Sequence, residues 1–299
     1  MTELESSAVA PSLVLSLFPG ADLLGRGFEA EGFCIVRGPD ILWGHDVRDF
    51  TPARHKFEGV IGGSPCQDFS KARRCAPTGE GMEMVGQFLR CVMAAEPLWF
   101  LLENVPGVPD VADFCGHWLT DNRWTVQRFN LRASECGCRQ TRLRCLQFGW
   151  RDGLGPLIPQ REMPLVDTAP AAMASEGRRK GRRTWADFCA LQGLPRAFAL
   201  PGLSRGAAYR AVGNGVPVPM ARVLAEAVRA RRGEMVRLCL CACGRPVKAG
   251  RTLATPACRK RVQRERDAAG VTDARCVTGA ESQTGMLFDW NEARREGLL

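Results

Sequence analysis

Three stretches of this chain hold side chains able to do covalent and acid–base chemistry. The first is Val60-Ile-Gly-Gly-Ser-Pro-Cys-Gln-Asp-Phe-Ser70. Gly62 and Gly63 let the backbone turn after an apolar run, Pro65 stiffens the approach, and Cys66 is displayed at a strand end with Gln67 beside it. A thiol so placed is a nucleophile once its proton is lost. A cysteine that only filled a core would need neither the flexible turn nor the proline. The second stretch is Glu103-Asn-Val-Pro-Gly107, delivered by the run Leu98-Trp-Phe-Leu-Leu102. Glu103 is either an acid–base group or a solvated, helix-capping carboxylate. The third is Gln140-Thr-Arg142-Leu-Arg144, whose alternation puts three polar side chains on one face of an extended segment. Two guanidinium groups there suit a carbonyl oxygen on a base, or phosphate.

These groups need a scaffold that ends several strands side by side. Ser12-Leu-Val-Leu-Ser-Leu-Phe18, bounded by Pro11 and Pro19, reads as a central parallel strand buried on both faces. Gly20 and a helical segment from Asp22 to Glu31 follow. Strand, glycine turn and helix together make a nucleotide site, because the helix start offers free N–H groups. A short strand, Phe33 to Arg37, then leads to Asp40, where an acid can hold ribose hydroxyls or simply cap a surface turn. Apolar spacing predicts a helix over Gly79–Ala95, stopped by Pro97, and another over Val111–Leu119. Strands are expected at Trp124–Leu131 and Leu143–Trp150, and helices at Thr184–Pro195 and Met220–Arg231. In such a sheet the groups just past the carboxyl ends of neighbouring strands share one rim. Gly20, Cys66 and Glu103 would occupy it.

The loop Gly62–Ser70 resembles the catalytic loop of the DNA (cytosine-5)-methyltransferases, usually Gly-Gly-Pro-Pro-Cys-Gln-x-Phe-Ser, with Ser64 as its departure. Phe18-Pro-Gly20 with Gly27-Phe28 is similar to the family's cofactor turn, although Asp22 and Leu23 replace two of its glycines. Glu103-Asn-Val, Gln140-x-Arg142-x-Arg144, Leu191-Gln-Gly193 and Gly213-Asn214-x-Val216 match further family elements in order, over residues 12 to about 231. The resemblance implies an α/β, Rossmann-like sheet that binds S-adenosylmethionine through Phe18, Gly20, Asn214 and Val216. Asp40 would then hold the ribose, Asp46 the adenine amino group, and Trp43 would stack on the ring. It also implies that Cys66 adds to carbon-6 of a flipped cytosine, that Glu103 holds or protonates N3, and that Arg144, supported by Arg142, binds O2. Gln140 would face the nucleic acid. The implied partners are DNA and a cognate restriction endonuclease, in a monomer of bacterial or phage origin. An RNA cytosine methyltransferase and a non-catalytic DNA-binding relative are the competing readings.

The insert that reads sequence in this family shrinks here to residues 151–183, too short to bury a core of its own. It ends in Arg178, Arg179, Lys180, Arg182 and Arg183, cations that grip phosphate without choosing sequence. With 41 Lys and Arg against 32 Asp and Glu, the net charge of +9 suits a polyanion. Beyond Arg232 the composition changes. Cys239, Cys241, Cys243 and Cys258 could form a small zinc-bearing module over residues 239–269, or a degenerate one that keeps only the basic helix with Arg259 and Lys260. Residues 270–299 read as a loosely ordered tail, with Met286–Trp290 a docking patch. The N-terminus lacks the pattern of a secretory signal, and no apolar run approaches a membrane span. The expected compartment is the cytoplasm, with the chain's 14 cysteines mostly reduced.

Overall fold

The apolar runs become strands in the computed structural model, which describes residues 13–70, 76–151, 153–234 and 255–268. In chain order β1 (Leu13–Leu17), α1 (Leu23–Ala30) and β2 (Cys34–Arg37) are followed by β3 (Gly59–Gly63), α2 (Glu80–Ala95) and β4 (Trp99–Asn104). Then come α3 (Val111–Asp121), β5 (Thr125–Arg132), β6 (Gln140–Thr141), β7 (Leu143–Trp150) and β8 (Ala169–Pro170). The helices α4 (Trp185–Leu191), α5 (Arg205–Asn214), α6 (Val218–Glu234) and α7 (Pro256–Ala268) complete the described elements. The chain divides into two units, residues 10–233 and residues 1–9 with 234–299. Of the second unit only Glu234, Thr255 and α7 are described. Cys239, Cys241, Cys243, the tail from 270 and the Met286–Trp290 patch lie outside the described residues. No helix among those described is long and apolar enough to cross a membrane.

The main sheet has the order β2-β1-β3-β4-β7-β5. β2, β1, β3 and β4 are mutually parallel, whereas β7 lies antiparallel between β4 and β5. β4 is buried along its whole length and β3 along nearly all of it, because helices cover both faces of the sheet. Trp99, Phe28, Phe33 and Phe148 pack ring against ring in this core. α6 folds back onto the chain's first elements. A Cβ at Gly27 would stand 2.3 Å from that of Ala221, so only glycine admits this approach. Beside it Arg222 and Arg229 both pair with the buried Glu31 that closes α1.

The segment 140–144 does not run as one exposed strand. β6 stops at Thr141 and pairs with β8 in a separate two-stranded ladder, and Arg142 falls between β6 and β7. Gln140 is fully buried, donating to Leu191 O (2.6 Å) and Gln192 Oε1 (3.0 Å) and accepting from Ala172 N (3.3 Å). It does not face nucleic acid. Arg142 is equally committed: Nη1 donates to Ala172 O (2.8 Å), and Nη2 reaches the carbonyls of Gly213 (3.0 Å), Asn214 (3.2 Å) and Gly215 (2.9 Å). Gln192 Nε2 joins them through Val212 O and Gly215 O. Alternation identified residues sharing a face, and burial turned Gln140 and Arg142 into a latch among β6, the insert and the end of α5. Arg142 is therefore committed to main-chain carbonyls. Replacing it removes the donor for several buried carbonyls, each costing about 1–3 kcal/mol if left bare. Arg142→Met is expected to lower the unfolding free energy by about 3 kcal/mol or more, read from the urea midpoint at constant slope. An unchanged midpoint would show that the latch contributes nothing.

Candidate active site

Register fixes who meets at the rim. Gly62 pairs with Leu17 on one side and Leu102 on the other, and Gly63 pairs with Glu103, so β1, β3 and β4 finish together. An antiparallel strand starts where its parallel neighbours stop. Cys145 of β7 accordingly lies opposite Asn104, and the residue before it, Arg144, reaches the rim from the opposite chain direction. Arg144 Nε lies 2.7 Å from Glu103 Oε1, and its Nη1 donates to Leu143 O at 2.9 Å. Glu103 is 6% exposed, so this pair works largely out of water. Its carboxylate presses on the strand beside it: a Cβ at Gly63 would be 2.7 Å from Oε2.

Cys66 is half-buried just beyond β3. Burial and the charge of Glu103 push its thiol pKa up, while Arg144 and Arg142 pull it down. Burial likewise pushes the Glu103 carboxyl above the usual carboxylate range, against the pull of Arg144 and Arg142. The loop around the thiol is tied at both ends. Asn104 Nδ2 donates to both the carbonyl (3.1 Å) and the hydroxyl (3.0 Å) of Ser64, and Asn104 Oδ1 accepts from Val105 N (2.8 Å). Ser64 thus offers a side-chain acceptor where the family loop has proline. On the far side Asp68 accepts from Thr78 N and Gly81 N, both at 2.9 Å, anchoring the loop to the start of α2.

Cys66, Pro65, Gln67, Glu103 and Arg144 line one cleft of about 450 Å³ together with Phe18, Gly20, Asp40, Asp46, Asn214 and Val216. Asp40 holds the turn after β1, accepting from Gly20 N at 2.8 Å and from Leu42 N at 2.7 Å. Asp46 accepts from Arg48 N at 2.9 Å and pairs with its guanidinium. Trp43 is absent from this cleft. The 3-10 turn Ile41–Trp43, capped by Asp40, carries its indole N–H onto Gly20 O (2.9 Å) and its ring into a separate hollow of about 160 Å³. Ile41, 67% exposed, lines the cleft in its place, so an apolar side chain rather than an indole is available to a ring there.

Residues 43–179 match the family model described as C-5 cytosine-specific DNA methylase. That stretch, a little under half of the chain, is what resembles the family. Among similar proteins, the Type II methyltransferase M.HgiDI of Herpetosiphon aurantiacus is 29% identical over 164 residues, covering 46% of this chain and 52% of its own length. M.XorII of Xanthomonas oryzae is 27% identical over 184 residues, covering 49% and 42%. The chain thus spans about half the length of these relatives. The crystal structures of Spodoptera frugiperda DNMT2 (a mutant; TM-score 0.55, 13% identity, 73% of this chain and 99% of that one) and S. pombe Dnmt2 methyltransferase (0.53, 11%, 74% and 99%) share its fold.

Outside the cleft, the basic run is treated unevenly. Arg178, Arg179, Lys180 and Arg182 are exposed. Arg183 is spent internally, on Glu176 Oε2 (2.7 Å) and Pro170 O (2.7 Å), so it is no phosphate ligand. In α7 Arg259 and Lys260 are exposed, whereas Cys258 is buried against Thr255. Among the described residues no group of three or more His, Cys, Asp or Glu is arranged to hold a metal ion. The Gly213-Asn214 pair ends α5 rather than opening α6. The face Ala207, Arg210, Ala211, Asn214 of α5 borders the cleft, and helical spacing back from Asn214 was the signal for Arg210.

The thiol's surroundings set an expected titration. The pH at which the Cys66 peptide reaches half its maximal alkylation rate with iodoacetamide, followed by mass spectrometry, should lie above the ordinary thiol range. Glu103→Gln removes a negative neighbour and should lower it; Arg144→Met removes a positive one and should raise it. Shifts of the opposite sign would mean that these charges do not govern the thiol.

Proposed function

We propose that this chain methylates carbon-5 of cytosine in DNA through a transient bond from Cys66 to carbon-6. The observation that carries the reading is the convergence of Cys66, Glu103 and Arg144 on one cleft that also holds Asp40 and Asp46. The names of the Type II relatives support both DNA as substrate and a restriction partner. S-adenosylmethionine fits the cleft: about 450 Å³ lies within the range of ligand pockets, roughly 300–1,000 Å³, and acids line it for ribose, amino and sulfonium groups. When bound, it supplies an electrophilic methyl group.

Carbon-5 of cytosine is too weak a nucleophile until a thiolate adds at carbon-6. Cys66 Sγ forms that bond and sends an electron pair toward carbon-5, while Glu103 gives a proton to N3 so that charge does not build on the ring. Arg144, oriented by its Nε contact with Glu103, turns its remaining donors to O2 and fixes the base. After methylation water takes the carbon-5 proton, the carbon–sulfur bond breaks to return Cys66 as thiolate, and N3 gives its proton back to Glu103. The target atoms are inaccessible inside a stacked duplex, so the base is flipped into the cleft.

The pKa directions make a distinctive pH profile. Chemistry needs Cys66 deprotonated and Glu103 protonated, the reverse of the resting pair, yet both arrangements carry one proton between them. Single-turnover rates should therefore rise as pH passes the elevated pKa of Glu103 and fall as it passes the elevated pKa of Cys66. Glu103→Gln should slow the reaction and remove the fall at high pH, leaving a rate that climbs through the Cys66 titration to a plateau, and Cys66→Ser should abolish turnover while leaving the fold and binding of S-adenosylhomocysteine intact. A fall at high pH that survives in Glu103→Gln would take Glu103 out of the proton transfer.

The exposed Arg178, Arg179, Lys180 and Arg182 are the proposed phosphate ligands, with α7 a second basic element. Each phosphate neutralised releases condensed counterions. Changing these four side chains to glutamine should flatten the plot of log affinity against log salt by about 0.9 for each phosphate that is no longer neutralised, and weaken binding equally across DNA sequences. An unaltered slope would move the DNA-binding surface elsewhere.

A further inference from the structure

The charges lining the cleft are lopsided. Asp22, Asp40, Asp46 and Glu103 are among its carboxylates, and its cations are Arg144 and Arg210. Arg144 is held by Glu103. Arg210 is exposed on α5, one turn before Asn214, and has no hydrogen-bonding or ion-pair partner among the described residues. The ordinary receptor for an anionic group in a strand–turn–helix site is the set of free N–H groups at the helix start. Here a carboxylate of the chain itself already sits at that receptor. Asp22 Oδ1 accepts from Gly25 N (3.1 Å) and from the Ser16 hydroxyl (2.9 Å), and Oδ2 lies 2.7 Å from Arg37 Nε. A ligand carboxylate approaching α1 would meet a carboxylate already seated there. The neighbouring Leu23 is apolar and packs toward Gly215.

Building on the cofactor proposed above, we infer that Arg210 is the counter-ion for the amino-acid carboxylate of S-adenosylmethionine, replacing the anion site at which Asp22 already sits. The acidic wall suits the sulfonium and ammonium charges, and Arg210 is the uncommitted cation facing the one anionic group of this ligand. A guanidinium can take a carboxylate through two parallel N–H bonds.

Calorimetric titration of the full chain tests this with two ligands, S-adenosylhomocysteine and its decarboxylated counterpart, which keeps the adenosine, the thioether and the amine. Arg210→Gln is expected to weaken S-adenosylhomocysteine about tenfold or more and to leave the decarboxylated ligand unchanged, with Arg210→Lys intermediate. Equal losses for both ligands, or none for either, would overturn the assignment. So would a loss confined to DNA binding, which would give Arg210 to phosphate instead. If the unmodified protein bound neither ligand, the cofactor reading itself would fall and this inference with it.

Discussion

A guanidinium group only 3% exposed must be surrounded by acceptors, and Arg142 finds them in main-chain carbonyls of the insert and of the α5–α6 link. Burial and the nearby Arg144 press its pKa down to about 9, so it still carries its charge near neutrality. Because backbone carbonyls rather than a carboxylate neutralise the site, the latch fixes main-chain geometry over residues 172 and 213–215. That geometry sets where Asn214, Gly215 and Val216 border the cleft. The nearby Gln140–Gln192 hydrogen bond adds α4 to the same lock. A short insert without a core of its own is thereby held by polar interactions as well as by the burial of Leu154, Leu157 and Ala172.

The antiparallel placement of β7 has the next largest consequence. Had β7 run parallel, its first residues would lie at the opposite edge of the sheet from Glu103. Reversal brings Arg144 to the rim and lets one ion pair govern two pKa values. The pair also explains Gly63, since the carboxylate occupies the space a side chain there would need. Ser64 is explained by its other neighbour: Asn104 holds its carbonyl and hydroxyl, so a side-chain hydrogen bond helps hold the approach to Cys66 where proline would act by stiffness.

The strands and main helices were legible because continuous apolar runs and 3.6-residue spacing report burial directly. Cys66 and Glu103 could be placed on one rim because strand ends are read from those same runs. Other features depend on what packs against a residue, which spacing does not report. Alternation grouped Gln140, Arg142 and Arg144 without saying that two of them are buried. The family resemblance implied stacking by Trp43, but a 3-10 turn carried Trp43 past the cleft and left Ile41 lining it. The basic run read as uniform, although the buried Glu176 takes Arg183 out of it.

The turn after β1 joins these threads. Phe18, Gly20 and Asp22 all adopt positive φ, between 52° and 53°, a conformation that costs non-glycine residues of order 1–3 kcal/mol unless the surroundings hold it. At Gly20 the carboxylate of Asp40 holds it. At Asp22 the hydrogen bonds from Ser16 and Gly25 and the ion pair with Arg37 do so, and they make an acidic residue serve where the family pattern has glycine. The same bonds that offset the strain seat a carboxylate at the helix start. The α6 helix then returns to α1 at Gly27 and Glu31, carrying α5 and its basic face to the cleft. Asp22 in the first turn and Arg210, almost two hundred residues later, thus border the same cleft with opposite charges.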